Sequence, residues 1–541
     1  MLGREQPADP DRGKGRRMII SLDPQHIPAA TTGPLYLDYI EGRGKARPFF
    51  PYGPHDLRAA LEARSAHTYP RAAVVPLLRA YNSSLGASRR ALANIDALAD
   101  EGTMCVIAGQ QAGFLGGPAY TCHKIATTIR LAAEIEASFG VRCVPLFWLA
   151  SEDHDLGEIN HAYLAQPDGE IGHVGFGWSD EGKPIAALPV GERVMRAFDT
   201  YWAHASPGPY LAETREQFAP RGGEDYASWN ARLWSELFAA HGLVLVEPRV
   251  IRPPAGDLFS RVLRLSAEIQ HRLNAVSRQL GEAGYTPQLQ SESAGQLYTF
   301  DERGYRVRVS DPERHVRESA VCPERYSTDA ALRPLFADAM LPIVASVLGP
   351  GETAYHGMLG PLYELLGLPQ PHVFPRKSYT LVAAEEAERI AAYGVTVQQL
   401  LCERVSVDAA IEELVPSGER ELFEVAERAG TAALEPLWAY VRSIDSGLGR
   451  TMVQHVARTQ RSLVQLRERA FHSRLRQLGY SRGELRALRN VLLPRDRLQE
   501  RVLPLPHFLM RHGRALLDTL MEAGDLQDYR HDILILDEGY A

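Results

Sequence analysis

TMCVIAGQQAGFLGGPAYTCHKIATTIRLAAEIEASFGVRCVPLFWLA, Thr103–Ala150, is the stretch that decides the fold. Thr103–Ala108 is a short apolar run that reads as a strand. A glycine-rich loop follows, Gly109–Pro118. Apolar positions then recur at helical spacing up to Gly140, where glycine suits a helix C-cap. Val141–Ala150 is apolar throughout, as expected of a strand covered on both faces. Strand, loop, helix and strand in so short a span make a βαβ unit with a parallel sheet, whose ligands bind at the carboxyl ends of the strands.

A second such pattern lies further on. Leu341–Leu348 is strand-like, Gly349–Glu352 is a tight loop, Thr353–Gly367 is helical and Pro371–Arg376 is a short strand. The fold class is therefore α/β, with two Rossmann-like halves near 100–165 and 340–380 separated by a long insertion. Ahead of the first half, Leu57–Ala66 and Val74–Asp100 read as amphipathic helices. Inside the insertion the pattern predicts a strand at Leu243–Glu247, a hairpin across Asp301–Gly304, and helices at Trp229–His241 and Ser260–Gly284. From Leu381 onward strand signals nearly vanish. Met452, Val456, Thr459, Leu463, Leu466 and Ala470 alternate steps of four and three, a coiled-coil seam. A hairpin packed on itself and a dimerising coil fit this seam equally well. Pro436 and Gly447 or Gly449 are expected to interrupt or kink the preceding helix.

Composition narrows the classes. The 541 residues are 45% hydrophobic and 23% charged, which excludes a mainly disordered chain, a collagen and a small disulfide scaffold. A net charge of −8 gives no push toward nucleic acid. Lysine occurs only at Lys14, Lys45, Lys124, Lys183 and Lys377, so a lysine inside a motif stands out. Cys105, Cys122, Cys143, Cys322 and Cys402 form no CxxC pair and read as small buried hydrophobes rather than a disulfide framework or zinc ribbon. No apolar run approaches the ~20 residues of a membrane span. Residues 1–17 lack the apolar core of a signal peptide and read as a disordered extension, or as an upstream start before Met18. A reducing cytoplasm fits these features.

Three polar motifs sit where the fold places ligands. In the first loop, Gly109, Gly113, Gly116 and Gly117 would let backbone approach a phosphate, beside a helix N-terminus. A tight turn that needs glycine is an equal reading, and the loop is neither GxxxxGK[ST] nor GxGxxG. Gln110 and Gln111 could hydrogen-bond a ligand, with Tyr120, His123 and Lys124 one turn on. The second motif is SEDHDLGEINH, Ser151–His161, which packs Glu152, Asp153, His154, Asp155, Glu158 and His161 behind an apolar strand. If helical, His154, Glu158 and His161 share one face, which suits metal; a charged helix start is the bland alternative. A polar substrate site is favoured over both. The third is GPGETAY, where Gly349 and Gly351 form the turn, Glu352 opens the helix and Tyr355 follows. Glu352 is either a dipole partner or a ligand for an amine or ribose. Arg376 and Lys377 end the next strand and could hold phosphates or carboxylates.

GQQAGFLGGPAYTCHK, FWLASEDHDLGEINH, LGPGETAYHGMLGPLYELLG with FPRKS, LLRAYNSSLGASRRALANIDALAD and the late LQERVLPLPHFLMRHG together resemble the bacillithiol-synthesis cysteine-adding enzyme family, in that family's order from about Leu35 to the end. The resemblance implies a Rossmann-like core with connecting-peptide insertions and a C-terminal coiled coil that pairs two subunits. The domain plan becomes an N-terminal extension over 1–34, partly disordered; core over 35–165; insertions and core continuation over 166–340; core again over 341–380; and a helical coiled-coil domain over 381–541 whose last segment returns to the core. The implied reaction joins the cysteine carboxyl to the amine of glucosaminyl malate, with ATP as presumed energy source, Mg2+ optional and no tightly bound metal. SAGQLYTF and STDAALRP (Ser327–Pro334) depart from the family's pattern, and a His-x-Gly-His phosphate motif is absent.

On that resemblance Lys124 and His123 are assigned to phosphoryl charge, Asp153 or Asp155 to the cysteine ammonium, and His154 to general base for the attacking amine. Glu352 and Arg376 close the other side, Arg376 on malate carboxylates. The rival readings are a nucleotidyltransferase acting on another small molecule and a non-catalytic dimeric scaffold.

Overall fold

Alternate residues of the first predicted strand face two different cores. Val106 and Ala108 lie in one buried apolar cluster, Cys105 and Ile107 in another. That is the two-sided burial a covered parallel strand requires. The computed structural model describes residues 18–537 except 31, 167, 181 and 290–294, with the side chains of 446, 449 and 450 also left out. The expected disordered extension over 1–17 lies outside the described residues.

Five strands form the central sheet: β1 (Met104–Gln110), β2 (Cys143–Leu149), β3 (Val244–Val246), β4 (Ile343–Leu348) and β5 (His372–Pro375). All pairings are parallel, in the order β5-β4-β1-β2-β3. The chain moves outward from β1 to β3, then returns to the other side of β1. Loops leaving β1 and β4 therefore diverge, and this switch point is where such sheets open a crevice. Both predicted halves share the one sheet, and the predicted strand inside the insertion supplies its edge, β3.

Helix α1 (Tyr120–Phe139) covers one face and ends at Gly140, whose φ of 68° is the left-handed C-cap expected there. The helical run after β4 is split into α2 (Pro350–His356) and α3 (Gly360–Leu366). Pro361 at the second position of α3 has no N–H to continue the earlier helix but suits a helix start. The predicted hairpin is present as Leu297–Phe300 against Arg306–Arg308, with Tyr326–Thr328 as a third strand. The long helix predicted over Ser260–Gly284 is two helices, Gly256–Arg264 and Ser266–Glu282.

A second sheet departs from the helical reading after Leu381. Ser378–Ala383 and His531–Leu536 pair in parallel, and Met18–Leu22 adds antiparallel to the latter. Between them the chain runs out into a hairpin of α4 (Ser417–Ile444) and α5 (Gly449–Gln477), joined through Ser446–Leu448. Glu419 pairs with Arg474 at 2.9 Å, the Phe423 and Phe471 rings meet at 5.4 Å, and Glu427 pairs with Arg467 at 3.3 Å. These contacts fix an antiparallel register. Helix α4 continues through Pro436, and the break falls at the Gly447 turn. Of the predicted seam, Met452 is buried and Val456, Leu463 and Ala470 are half-buried. Thr459 and Leu466 face outward.

Candidate active site

β1 and β4 end side by side at Gln110 and Leu348, and a cavity of about 390 Å3 opens between the loops that follow them. Lys124, one turn into α1, ties its two walls together. Its Nζ donates to Gly109 O at 2.8 Å and Gln110 Oε1 at 2.8 Å, and meets Glu352 Oε2 at 2.6 Å. An ammonium has three hydrogens, so all are committed. Burial pushes the Lys124 amine down, against the pull of Glu352. Burial alone would raise the Glu352 carboxyl, but Lys124 and the Gly349 N–H at 2.8 Å hold it below its ordinary range. Gln110 also donates to the Tyr120 hydroxyl at 3.2 Å. Burial pushes that phenol up to about 12, so it stays protonated.

Arg376 forms a second wall. Its guanidinium holds Glu500 through two bonds, 2.6 Å and 2.9 Å. Glu500 also accepts from His123 Nδ1 at 2.7 Å, Ser378 Oγ at 2.9 Å and the Tyr379 N–H at 3.1 Å. Burial alone would raise this carboxyl, yet Arg376 and His123 hold it well below the usual range. His123 lies behind the wall rather than in the cavity, where burial pushes its imidazole down.

The short turn Gln499–Arg501 completes the site, and the sequence reading missed it. Gln499 clamps the Leu381 N–H and C=O at 2.9 Å and 3.1 Å. Glu500 fills the wall just described, and Arg501 lines the cavity. Leu503 C=O accepts the Ala119 N–H at 2.9 Å, docking this segment on the first loop. A glutamate and an arginine inside LQERVLPLP, an otherwise apolar run, were the available signal.

The Ser151–His161 cluster is dispersed by the fold. Its only helix is Leu156–Ile159, and His161 begins a strand, so His154, Glu158 and His161 share no helical face. Glu152 is buried in an ion pair with Arg252. Asp155 caps the short helix through the Gly157 N–H at 3.1 Å. His161 packs beside His173, ring centroids 5.1 Å apart, and burial lowers its imidazole. Asp153 accepts from Gln111 at 2.8 Å, and Arg333 lies 3.8 Å away. His154 is exposed with Nδ1 at 3.2 Å from Arg306 Nη1. A guanidinium only donates, so His154 Nδ1 is the acceptor and its proton sits on Nε2. Of the ionisable residues in this run only Glu158 lines the cavity, held by Gln111 Nε2 at 2.5 Å. No group of three metal-ligating side chains occurs among the described residues.

The glycines divide likewise. Gly113, Gly117, Gly349 and Gly351 line the cavity. A Cβ on Gly113 would stand 2.5 Å from Gly117 Cα, so the loop folds tightly on itself. Gly116 and Gly109 face packing neighbours instead: their added Cβ atoms would meet Trp234 at 2.9 Å and Trp148 at 3.4 Å. The Tyr355 ring lies tilted against that of His356, centroids 4.9 Å apart, outside the lining.

Two family models match in series. "Bacillithiol biosynthesis BshC, N-terminal Rossmann-like domain" covers residues 22–377, and "Bacillithiol biosynthesis BshC, C-terminal coiled-coil domain" covers 379–536. The chain belongs to the BshC family. Relatives that carry the name "Putative cysteine ligase BshC" include one from Koribacter versatilis, 30% identical over 92% of this chain and 97% of its own length. Others come from Geobacillus kaustophilus, 29% identical over 94% and 99%, and Salinibacter ruber, 28% identical over 92% and 96%. The boundary between the two BshC domains falls at Ser378, inside the wall. Arg376 comes from the Rossmann-like domain and Gln499, Glu500 and Arg501 from the coiled-coil domain, so the cavity needs both. No described helix is long and apolar enough to cross a membrane.

Proposed function

We propose that this BshC chain is an amide-forming ligase that joins the carboxyl of L-cysteine to the amine of glucosaminyl malate, giving bacillithiol, with ATP as energy source. The observation that carries this reading is a polar cavity of about 390 Å3 at the switch point, a size suited to small metabolites, in a chain whose relatives bear the cysteine ligase name. A carboxylate does not condense with an amine unassisted, and ATP would supply the activated carboxyl. The loop after β1 is no ready seat for a triphosphate. Lys124 and Arg376 are neutralised by Glu352 and Glu500, and the Ala119 N–H is taken by Leu503.

Gln110 and Tyr120 orient the ligand through hydrogen bonds, and Lys124 positions Gln110 and Glu352. Glu158 is the carboxylate in the cavity able to take the amine's proton. His154 is not, because its acceptor nitrogen faces Arg306. The reading includes a homodimer. Leu422, Val425, Leu437, Tyr440 and Ile444 on α4 are 50–70% exposed and follow three–four spacing through Ala429 and Ala433. A second copy of the same hairpin covers such a face with its own.

The test is incubation of purified protein with ATP, cysteine and glucosaminyl malate, read by mass spectrometry. Bacillithiol is expected, with AMP if the intermediate is an acyl-adenylate and ADP if it is an acyl-phosphate. Folded protein that forms no bacillithiol overturns the reading.

A further inference from the structure

Five charged side chains line the cavity: Lys124, Glu158, Glu352, Arg376 and Arg501. Lys124 and Glu352 neutralise each other at 2.6 Å, and Glu500 neutralises Arg376 from behind. Two charges remain. Among the described residues the Arg501 side chain makes no hydrogen bond or ion pair, and Glu158 is held only by the neutral amide of Gln111. Arg501 is half-buried, and a guanidinium screened from water without a partner is costly unless a ligand supplies one. Arg501 and Glu158 line the same cavity as the Tyr120 phenol, so both face the same space.

We propose that this cavity takes a ligand carrying both an ammonium and a carboxylate, with Arg501 on the carboxylate and Glu158 on the ammonium. One positive and one negative charge left over match an ammonium and one carboxylate in sign. A triphosphate would meet one free cation and one repelling carboxylate. Arg501 presents a planar fork of donors that suits the two oxygens of a carboxylate. The inference deepens the ligase reading and rests on it for the identity of the ligand. Cysteine and glucosaminyl malate share this chemistry, and the experiment separates them.

Equilibrium binding is measured for L-cysteine, glucosaminyl malate, its N-acetyl form without the ammonium, methyl glucosaminide without the carboxylates, and ATP. Wild type, Arg501→Gln and Glu158→Gln are compared, with Arg501→Lys to restore charge. Arg501→Gln is expected to weaken carboxylate ligands about ten- to hundredfold while sparing methyl glucosaminide. Glu158→Gln weakens ammonium ligands similarly and spares the N-acetyl form. Arg501→Lys recovers part of the loss, and unchanged thermal midpoints show that folding is intact. The ligand whose affinity responds to both substitutions, cysteine or glucosaminyl malate, is the cavity's occupant. The proposal is overturned if neither ligand binds wild type, if both variants bind like wild type, or if the Arg501→Gln loss falls on ATP. Selective binding without bacillithiol formation would sink the ligase reading and leave the charge assignment standing.

Discussion

Glu500 is 1% exposed and accepts from Arg376, His123, Ser378 and a backbone N–H. Its carboxylate is the negative centre around which the shared wall is built. Glu500→Gln keeps the shape but leaves the Arg376 guanidinium buried without its counter-charge. Removing one partner of a buried pair costs about 3–5 kcal/mol, whereas an apolar replacement of both is far milder. The expected result is a marked drop in denaturation midpoint for Glu500→Gln, and a smaller loss for Glu500→Leu combined with Arg376→Met than for the two single changes summed. Strict additivity would sink the claim. Which residues the cavity brings together was only partly legible in sequence for a related reason. Gln110, Lys124, Glu352 and Arg376 stood beside recognisable strand ends, so the pattern found them. Glu500 meets Arg376 across 124 positions, and nothing local reveals such a contact. The Ser151–His161 run misled because side chains adjacent in sequence point to different partners once the helix stops at Ile159.

At the scale of elements, the parallel core was legible because two-sided burial leaves continuous apolar runs and a βα turn leaves glycines. The strand His531–Leu536 was not. It is a short run after a long helical region, and its partner strand lies some 150 positions earlier. The seam on α5 was half right: heptad spacing marked a hairpin, but it could not say which apolar residues face the sister helix and which face out. The outward set on α4 includes Leu437 and Tyr440, 50% and 64% exposed and far along the hairpin from the cavity. Glu at both positions places like charges face to face in a paired hairpin. Sedimentation is expected to show a dimer for the wild type and a monomer for the double variant, with unchanged helicity by circular dichroism. A wild-type monomer, or a variant that still pairs, would remove the dimer from the reading.

For the whole molecule, the decisive feature is that the C-terminal domain returns to the Rossmann-like core carrying buried titratable groups. His531 is 1% exposed between Ser378 Oγ at 2.8 Å and Thr380 Oγ1 at 2.9 Å, and burial pushes its imidazole down to about 4. His356 and His372, in the core itself, are likewise buried and depressed to about 4. In the unfolded chain each would titrate near 6.5. Between those values the unfolded state binds protons that the folded state refuses, so stability falls as pH drops from about 6.5 toward 4 and is fully present above 6.5. The slope is roughly 1.4 kcal/mol per pKa unit for each group. Glu500 acts lower down: its folded value is depressed, so its contribution is present above its ordinary 4.5 and disappears as pH falls below that. Acid loss should therefore start near neutrality with the histidines and steepen later with the carboxylate. Urea midpoints taken from pH 7.5 to 4.5 are expected to hold down to about pH 6.5 and decline below it, and His531→Gln, which removes one of the refused protons, should flatten that decline. Midpoints constant between pH 7 and 5 would show that these imidazoles are not held neutral. Because His531 and Glu500 both bond Ser378 at the domain boundary, the same acidification should loosen the turn that presents Arg501. Affinity for carboxylate ligands should then fall in step with the urea midpoint, and a ligand affinity that holds while the midpoint drops would separate the cavity from the boundary that frames it.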